Sequence, residues 1–226
     1  MSKAKLKKGK IPVKPTVVLQ DLVVLAADKN IEEAIGGILQ ERAKSLGIRT
    51  ITYKIITHPS RDPGCLNQSV GILAGYRNTH RHAVVIFDHQ GSGREQHSRV
   101  DLEITVENDL RLSGWGERAS TIVIDPELEN WVWSQSPHIA NCLGWKDPEI
   151  ALQDWLVENE FLTDAKQIKP KQPKEAMEAV LKFVRRPRSS AIYRAIAEKV
   201  SLAYCTDPAF AKLCERLRAW FPIPRK

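Results

Sequence analysis

Acidic residues stand where apolar runs end, three times over in this 226-residue chain. Asp28 follows residues 21–27 (DLVVLAA), with Glu32 one helical turn later. Asp88 closes residues 83–87 (AVVIF) and precedes His89 and Gln90. Asp125 closes residues 120–124 (STIVI), with Glu127 and Glu129 beyond it. Carboxylates converging from separate strands repel one another, so a site that holds several of them needs a cation. An all-oxygen set suits Mg²⁺ or Mn²⁺. The natural substrate of such an ion is a phosphate ester, whose oxygen it can polarise while activating water. Glu127 and Glu129 lie two apart at a predicted helix start and should point in different directions, so at most one is expected to face the site. Simpler roles stand beside these: Asp28 and Glu32 would each favour a helix N-terminus by ~0.3–1 kcal/mol, and Asp88, just ahead of Gly91 and Gly93, would cap a turn.

Other chemistry-bearing residues have plainer readings. His58, Arg61 and Asp62 fall in a loop punctuated by Pro and Gly (THPSRDPGC) at a strand end, the correct edge for a substrate loop; His58 is either a general base or an ordinary loop histidine. His89 alternates to the side opposite Asp88. Cys65 has no neighbouring histidine to make it a nucleophile. GSGR, residues 91–94, offers backbone N–H groups to a phosphate but lacks both P-loop and G-x-G-x-x-G spacing, so a simple turn is the default. Trp131, Trp133 and Trp155 sit among apolar neighbours, as core anchors do. Lys174, Lys182, Arg185, Arg186 and Arg188 form the densest basic stretch outside the N-terminus, either a solvated helix face or a surface for a polyanion backbone.

The elements that must position these groups alternate. Apolar runs at residues 21–27, 48–56, 83–87 and 120–124 read as strands. Between them lie an amphipathic helix capped by Asn30 and ending at Gly47, a helix over residues 67–78 and one over residues 98–113. Near-continuously apolar strands separated by helices predict an α/β fold with a mostly parallel sheet flanked by helices. Beyond Asp125 only helical spacing remains, with residues 166–174 as a linker. The expected organisation is a disordered basic arm (1–16), an α/β domain (17–164) and a basic C-terminal helical region (165–226).

The formal charge of +7 hides three blocks: +6 over residues 1–14, −9 over residues 15–164 and +10 over residues 165–226. The partner question therefore rests on the C-terminal block. A composition 42% hydrophobic and 27% charged argues against disordered, collagenous and membrane classes. Four scattered cysteines give neither a zinc pattern nor a disulfide framework. No apolar run approaches bilayer length and residues 1–14 lack a signal-peptide core. A cytoplasmic protein without a membrane partner is the expectation.

The order of the acids resembles a Toprim domain, the metal-dependent fold of topoisomerases, primases and related nucleases. LAADKNIE puts Asp28 at the place of that pattern's first Glu, and VIFDHQG puts Asp88 and Gln90 at its D-x-D. DKNIE, FDHQGSG, DPELENW and QPKEAM follow, in order, the motifs of a Toprim-like family of uncharacterised function. Together with HPSRDPGC and PRSSAIYR, they look closest to the small component of bacterial methylation-associated anti-phage defence systems. The resemblance covers roughly residues 20–220. It implies a Mg²⁺- or Mn²⁺-dependent phosphodiesterase or nuclease, with metal at Asp28, Glu32, Asp88 and Glu129 and catalytic roles for Glu32 and Lys174. Lys182, Arg185, Arg186 and Arg188 would contact nucleic acid, and the partners would be other defence proteins and DNA. The chain departs from the pattern where Asp28 replaces Glu and Gln90 replaces an acid. Those departures keep open a noncatalytic scaffold subunit with a degenerate site.

Overall fold

The computed structural model describes residues 18–134, 136–201 and 205–224; the basic arm expected over residues 1–16 lies outside them. Four parallel strands form the sheet: β1 (Gln20–Ala26), β2 (Tyr53–Thr57), β3 (His80–Asp88) and β4 (Ala119–Ile124), in the order β2-β1-β3-β4. The central β1 and β3 are buried along most of their length, which is why they read as unbroken apolar runs. Helices α1 (Lys29–Glu41), α3 (Arg61–Ala74) and α4 (Arg99–Leu110) make the crossovers, with a short α2 (Ala43–Leu46) after α1.

Three local details differ from the sequence-based expectation. Asp28, not Asn30, caps α1: it keeps the extended backbone a cap needs and accepts the N–H groups of Asn30 and Ile31, each at 2.9 Å. The second strand starts at Tyr53, not residue 48. Ile48 bridges to Pro222, and Arg49 turns to Asp21 at 2.6 Å. Helix α3 begins at Arg61, inside the expected loop, because Pro63 in a first turn gives up an N–H that has no helical partner anyway.

The C-terminal helical region is present as α5 (Glu129–Val132), α6 (His138–Leu143), α7 (Leu152–Glu158), α8 (Pro173–Phe183), α9 (Ser190–Lys199) and α10 (Pro208–Trp220). It shares one apolar cluster with the sheet. Helix α9 lies on α1 and α10 on β4. The α1–α9 approach needs Gly37: a Cβ there would stand 3.0 Å from the Ala197 Cβ and 3.2 Å from the Arg194 carbonyl oxygen. Among the described residues no helix is long and apolar enough to cross a membrane.

Strand β4 is an edge, and α4 closes it. The carboxylate of Glu103 accepts the Val123 N–H at 3.0 Å and that of Glu107 accepts the Thr121 N–H at 2.8 Å. Lys212 bridges both acids from α10. A helix thus occupies the donors that an exposed edge would offer to another strand.

Register decides where chemistry gathers. Ala26 pairs with Thr57 and with Ile86, and Asp88 pairs with Ile124, so the strands end on a common side. From β1 the chain passes to β2 on one side and returns to β3 on the other. The gap between the ends of β1 and β3 is the switch point at which open α/β sheets bind ligands. Asp28 and Asp88 flank it.

Candidate metal centre

A polar cleft of about 540 Å³ opens at this switch point. Five carboxylates line it (Asp28, Asp62, Asp88, Glu127 and Glu129) against the three cations Arg61, Lys174 and Arg188. Asp88, Glu127 and Glu129 each present an oxygen within 4.8 Å of the others. Both glutamates face the cleft, contrary to the expectation of one. Helix α5 begins only at Glu129, so Glu127 lies in the turn before it and the helical angle between them does not apply.

Asp88 is the centre of the group. Its backbone N–H donates to Asp62 Oδ1 at 2.8 Å, while its own buried Oδ1 has no hydrogen-bond partner among the described residues. Burial, reinforced by the charges of Asp62, Glu129, Asp28 and Glu127, raises its carboxyl well above the ordinary range. Burial likewise raises Asp62, and it raises Glu127 against the pull of Lys174. An unpaired oxygen beside crowded carboxylates forms a group that could hold a metal ion. The donor set is all oxygen.

The C-terminal helices supply the counter-charges. Lys174, in the first turn of α8, donates to Glu127 at 2.9 Å, and the pair raises the lysine. Arg188 donates to Glu129 in the cleft and to Glu178 outside it, the latter at 2.9 Å. The hydroxyl of Tyr193, on α9, donates to Glu129 and accepts from Arg188 Nε. Asp207 caps α10 and accepts from Asn130 and Trp131, which anchors α5 beside Glu129. Arg61 enters the cleft with φ of 51°, a left-handed backbone that costs a non-glycine residue roughly 1–2 kcal/mol.

The remaining expected site residues divide. Asp28 lines the cleft but already spends one oxygen on the α1 cap. Glu32, expected as both metal ligand and catalytic residue, is not in the lining: it pairs with Lys29 at 2.7 Å, three residues away on the same helix. Lys182 and Arg185 are exposed near the end of α8. Arg186 instead donates to the Cys142 carbonyl at 2.6 Å, so the basic stretch does not act as one patch. Gln90 lines the cleft as an uncharged amide.

The plainer readings of other groups agree with their surroundings. His58 is buried, and its Nδ1 accepts the Ser60 N–H, which leaves the proton on Nε2; burial lowers its pKa. His89 bonds to the His97 carbonyl. The Gly91 and Gly93 N–H groups are taken by the Glu95 carboxylate at 2.9 and 3.1 Å, so the GSGR turn is closed by the chain itself. Cys65 is buried and its thiol pushed up. Trp133 donates to the Pro173 carbonyl within the core. Sequence reasoning placed Asp62 in a substrate loop and preferred Glu129 to Glu127, so it counted neither Asp62 nor Glu127 in the metal site, and it did not reach Tyr193. The signal for Asp62 was its nearness to a strand end. Tyr193 meets Glu129 across 64 residues of chain, with no local signal at all.

Comparison with family models, with curated proteins and with solved structures finds no match to this chain.

Proposed function

We propose that the chain is a divalent-cation-dependent phosphodiesterase of Toprim-like type, acting on nucleic acid within a bacterial anti-phage defence system. The observation that carries the chemistry is the Asp88–Glu127–Glu129 group with its unpartnered Asp88 oxygen. The defence assignment rests on the motif order alone.

Asp88, Glu127 and Glu129 would hold the ion, with Asp28 at the rim. A bound Mg²⁺ or Mn²⁺ would supply a Lewis acid for a phosphoryl oxygen and a more acidic water. Lys174 and Arg188 bring positive charge to the same cleft and stabilise charge on a phosphodiester. Asp62, made more basic by burial, is the cleft-lining group suited to accept a proton. Asp28 and Asn30 shape the wall by fixing the start of α1.

Manganese titration followed by electron paramagnetic resonance tests the assignment. Wild-type chain should bind Mn²⁺ and hydrolyse a chromogenic phosphodiester in its presence, and Asp88→Asn should do neither. Equal Mn²⁺ binding by the two proteins would remove Asp88 from the centre.

Two observations favour a second reading. Gln90 replaces a charge, and Lys174 and Arg188 already neutralise the two glutamates, an arrangement compatible with a scaffold subunit that keeps the fold without turnover. In that case Mn²⁺ binding would be absent from the wild type as well.

A further inference from the structure

The two cations that a phosphate would need are already committed to two of the three carboxylates that a metal would need. Lys174 holds Glu127 and Arg188 holds Glu129. Both glutamate side chains are almost fully buried, so each bridge crosses from the sheet-edge turn to the helical region with little solvent screening on the acid side. We propose that Lys174 and Arg188 are resident counter-ions that release Glu127 and Glu129 when a divalent cation binds, and that the site gains its phosphodiester-binding charges only after it has gained its metal. The inference rests on the metal-centre reading above and adds an order of binding to it.

Three observations support the exchange. First, the third acid has no such partner among the described residues: Asp88 keeps an unpaired buried oxygen within 4.8 Å of both glutamates, so the cluster still has room for a cation. Second, Arg188 is held by two acids through different nitrogens. Its Nη1 donates to Glu178, whose side chain is 52% exposed, so leaving Glu129 frees Nη2 in the cleft without leaving the guanidinium unpaired. Third, Tyr193 also donates its hydroxyl to Glu129, so Glu129 keeps a hydrogen-bond partner when the guanidinium leaves. Lys174 is a single flexible chain, 39% exposed, and can swing from Glu127 toward a phosphate in the same cleft.

A carboxylate cannot give its full charge to two cations at once, so metal and ammonium compete for it. Removing either resident cation should therefore tighten metal binding while weakening phosphate binding. A merely structural ion pair would weaken both or neither.

The experiment measures Mn²⁺ binding by electron paramagnetic resonance, and binding of a fluorescent single-stranded oligodeoxynucleotide by anisotropy, on full-length wild type, Lys174→Gln and Arg188→Gln. Mn²⁺ affinity should rise about two- to fivefold in each variant, the range expected for losing a partly exposed ionic competitor. The oligonucleotide should bind wild type only when Mn²⁺ is present, and both variants should lose that dependence along with affinity. Failure of wild type to bind Mn²⁺ would sink the metal centre itself. Mn²⁺ binding by wild type that is unchanged or weakened in the folded variants would overturn the exchange alone. Should a variant fail to fold, the wild-type anisotropy still decides: oligonucleotide binding that is equal with and without Mn²⁺ contradicts the proposed order.

Discussion

Asp62 and Asp88 are tied by a bond between side chain and backbone: the Asp62 carboxylate accepts the Asp88 N–H at 2.8 Å. That bond fixes the end of β3 against the start of α3 and leaves the Asp88 carboxylate to face other acids. Asp88 is thus held in place without a cationic partner among the described residues, an arrangement that suits metal binding and works against stability.

Removing that charge should stabilise the metal-free protein. Asp88→Asn keeps the shape and deletes one charge from a group of crowded acids. In chelator at pH 8 the variant is expected to gain about 1–2 kcal/mol over wild type, read from urea unfolding. With saturating Mn²⁺ the ranking should reverse, because only wild type gains binding energy. A variant less stable than wild type in chelator would show that the acids do not repel one another.

The fit between Gly64 and His58 should be intolerant of a methyl group. A Cβ at residue 64 would lie 2.1 Å from His58 Nδ1, a clash that the buried ring cannot escape. Gly64→Ala should cost about 1–3 kcal/mol. Adding His58→Ala should recover part of the loss, a coupling that a double-mutant cycle measures. Additive costs would mean that the two residues do not meet.

Opening the sheet edge should promote self-association. Replacing Glu103 and Glu107 with alanine uncovers the Thr121 and Val123 N–H groups and leaves Lys212 without either of its carboxylates. Sedimentation velocity should then show dimers or larger species at concentrations where wild type shows none. Unchanged sedimentation would mean that other elements shield β4.

Acid should weaken the protein through Asp21. Hydrogen bonding to Arg49 lowers this carboxyl to about 2, so its folded value lies below its unfolded one. The contribution is complete above about pH 4 and is lost as pH falls through about 2. Because Arg49 is partly exposed, a discounted size on the order of 1–2 kcal/mol is expected. The stability difference between wild type and Asp21→Asn should shrink across that window. A difference constant from pH 6 to pH 2 would exclude the ion pair as its source.

The sheet was legible in the sequence because its central strands are buried on both sides and leave an unmistakable apolar signature. Asp88 was legible for a related reason, as an acid that interrupts such a run. The edges of elements were harder to read. Asp21 diverts Arg49 and Thr52 from continuing β2, and Pro63 begins α3 where punctuation suggested a loop. Within the site, Glu32 has the spacing of a ligand, but Lys29 three residues away claims it. Glu127 was discounted by a helical rule that fails because the helix starts two residues later. The partnerships of Lys174, Arg188 and Tyr193 with these acids span 47, 59 and 64 residues, distances over which sequence periodicity carries no information.

The missing side chain at Gly37 has a reach well beyond its own helix. It sets the height at which α9 rests on α1, and the residue beside its contact at Arg194 is Tyr193, the hydroxyl donor to Glu129. A bulkier residue at position 37 would lift α9 by a few tenths of an ångström and carry that hydroxyl with it. Tuning of the acid cluster therefore resides partly in a helix seam outside the cleft lining, where drift in sequence can detune the chemistry while every charged residue remains unchanged.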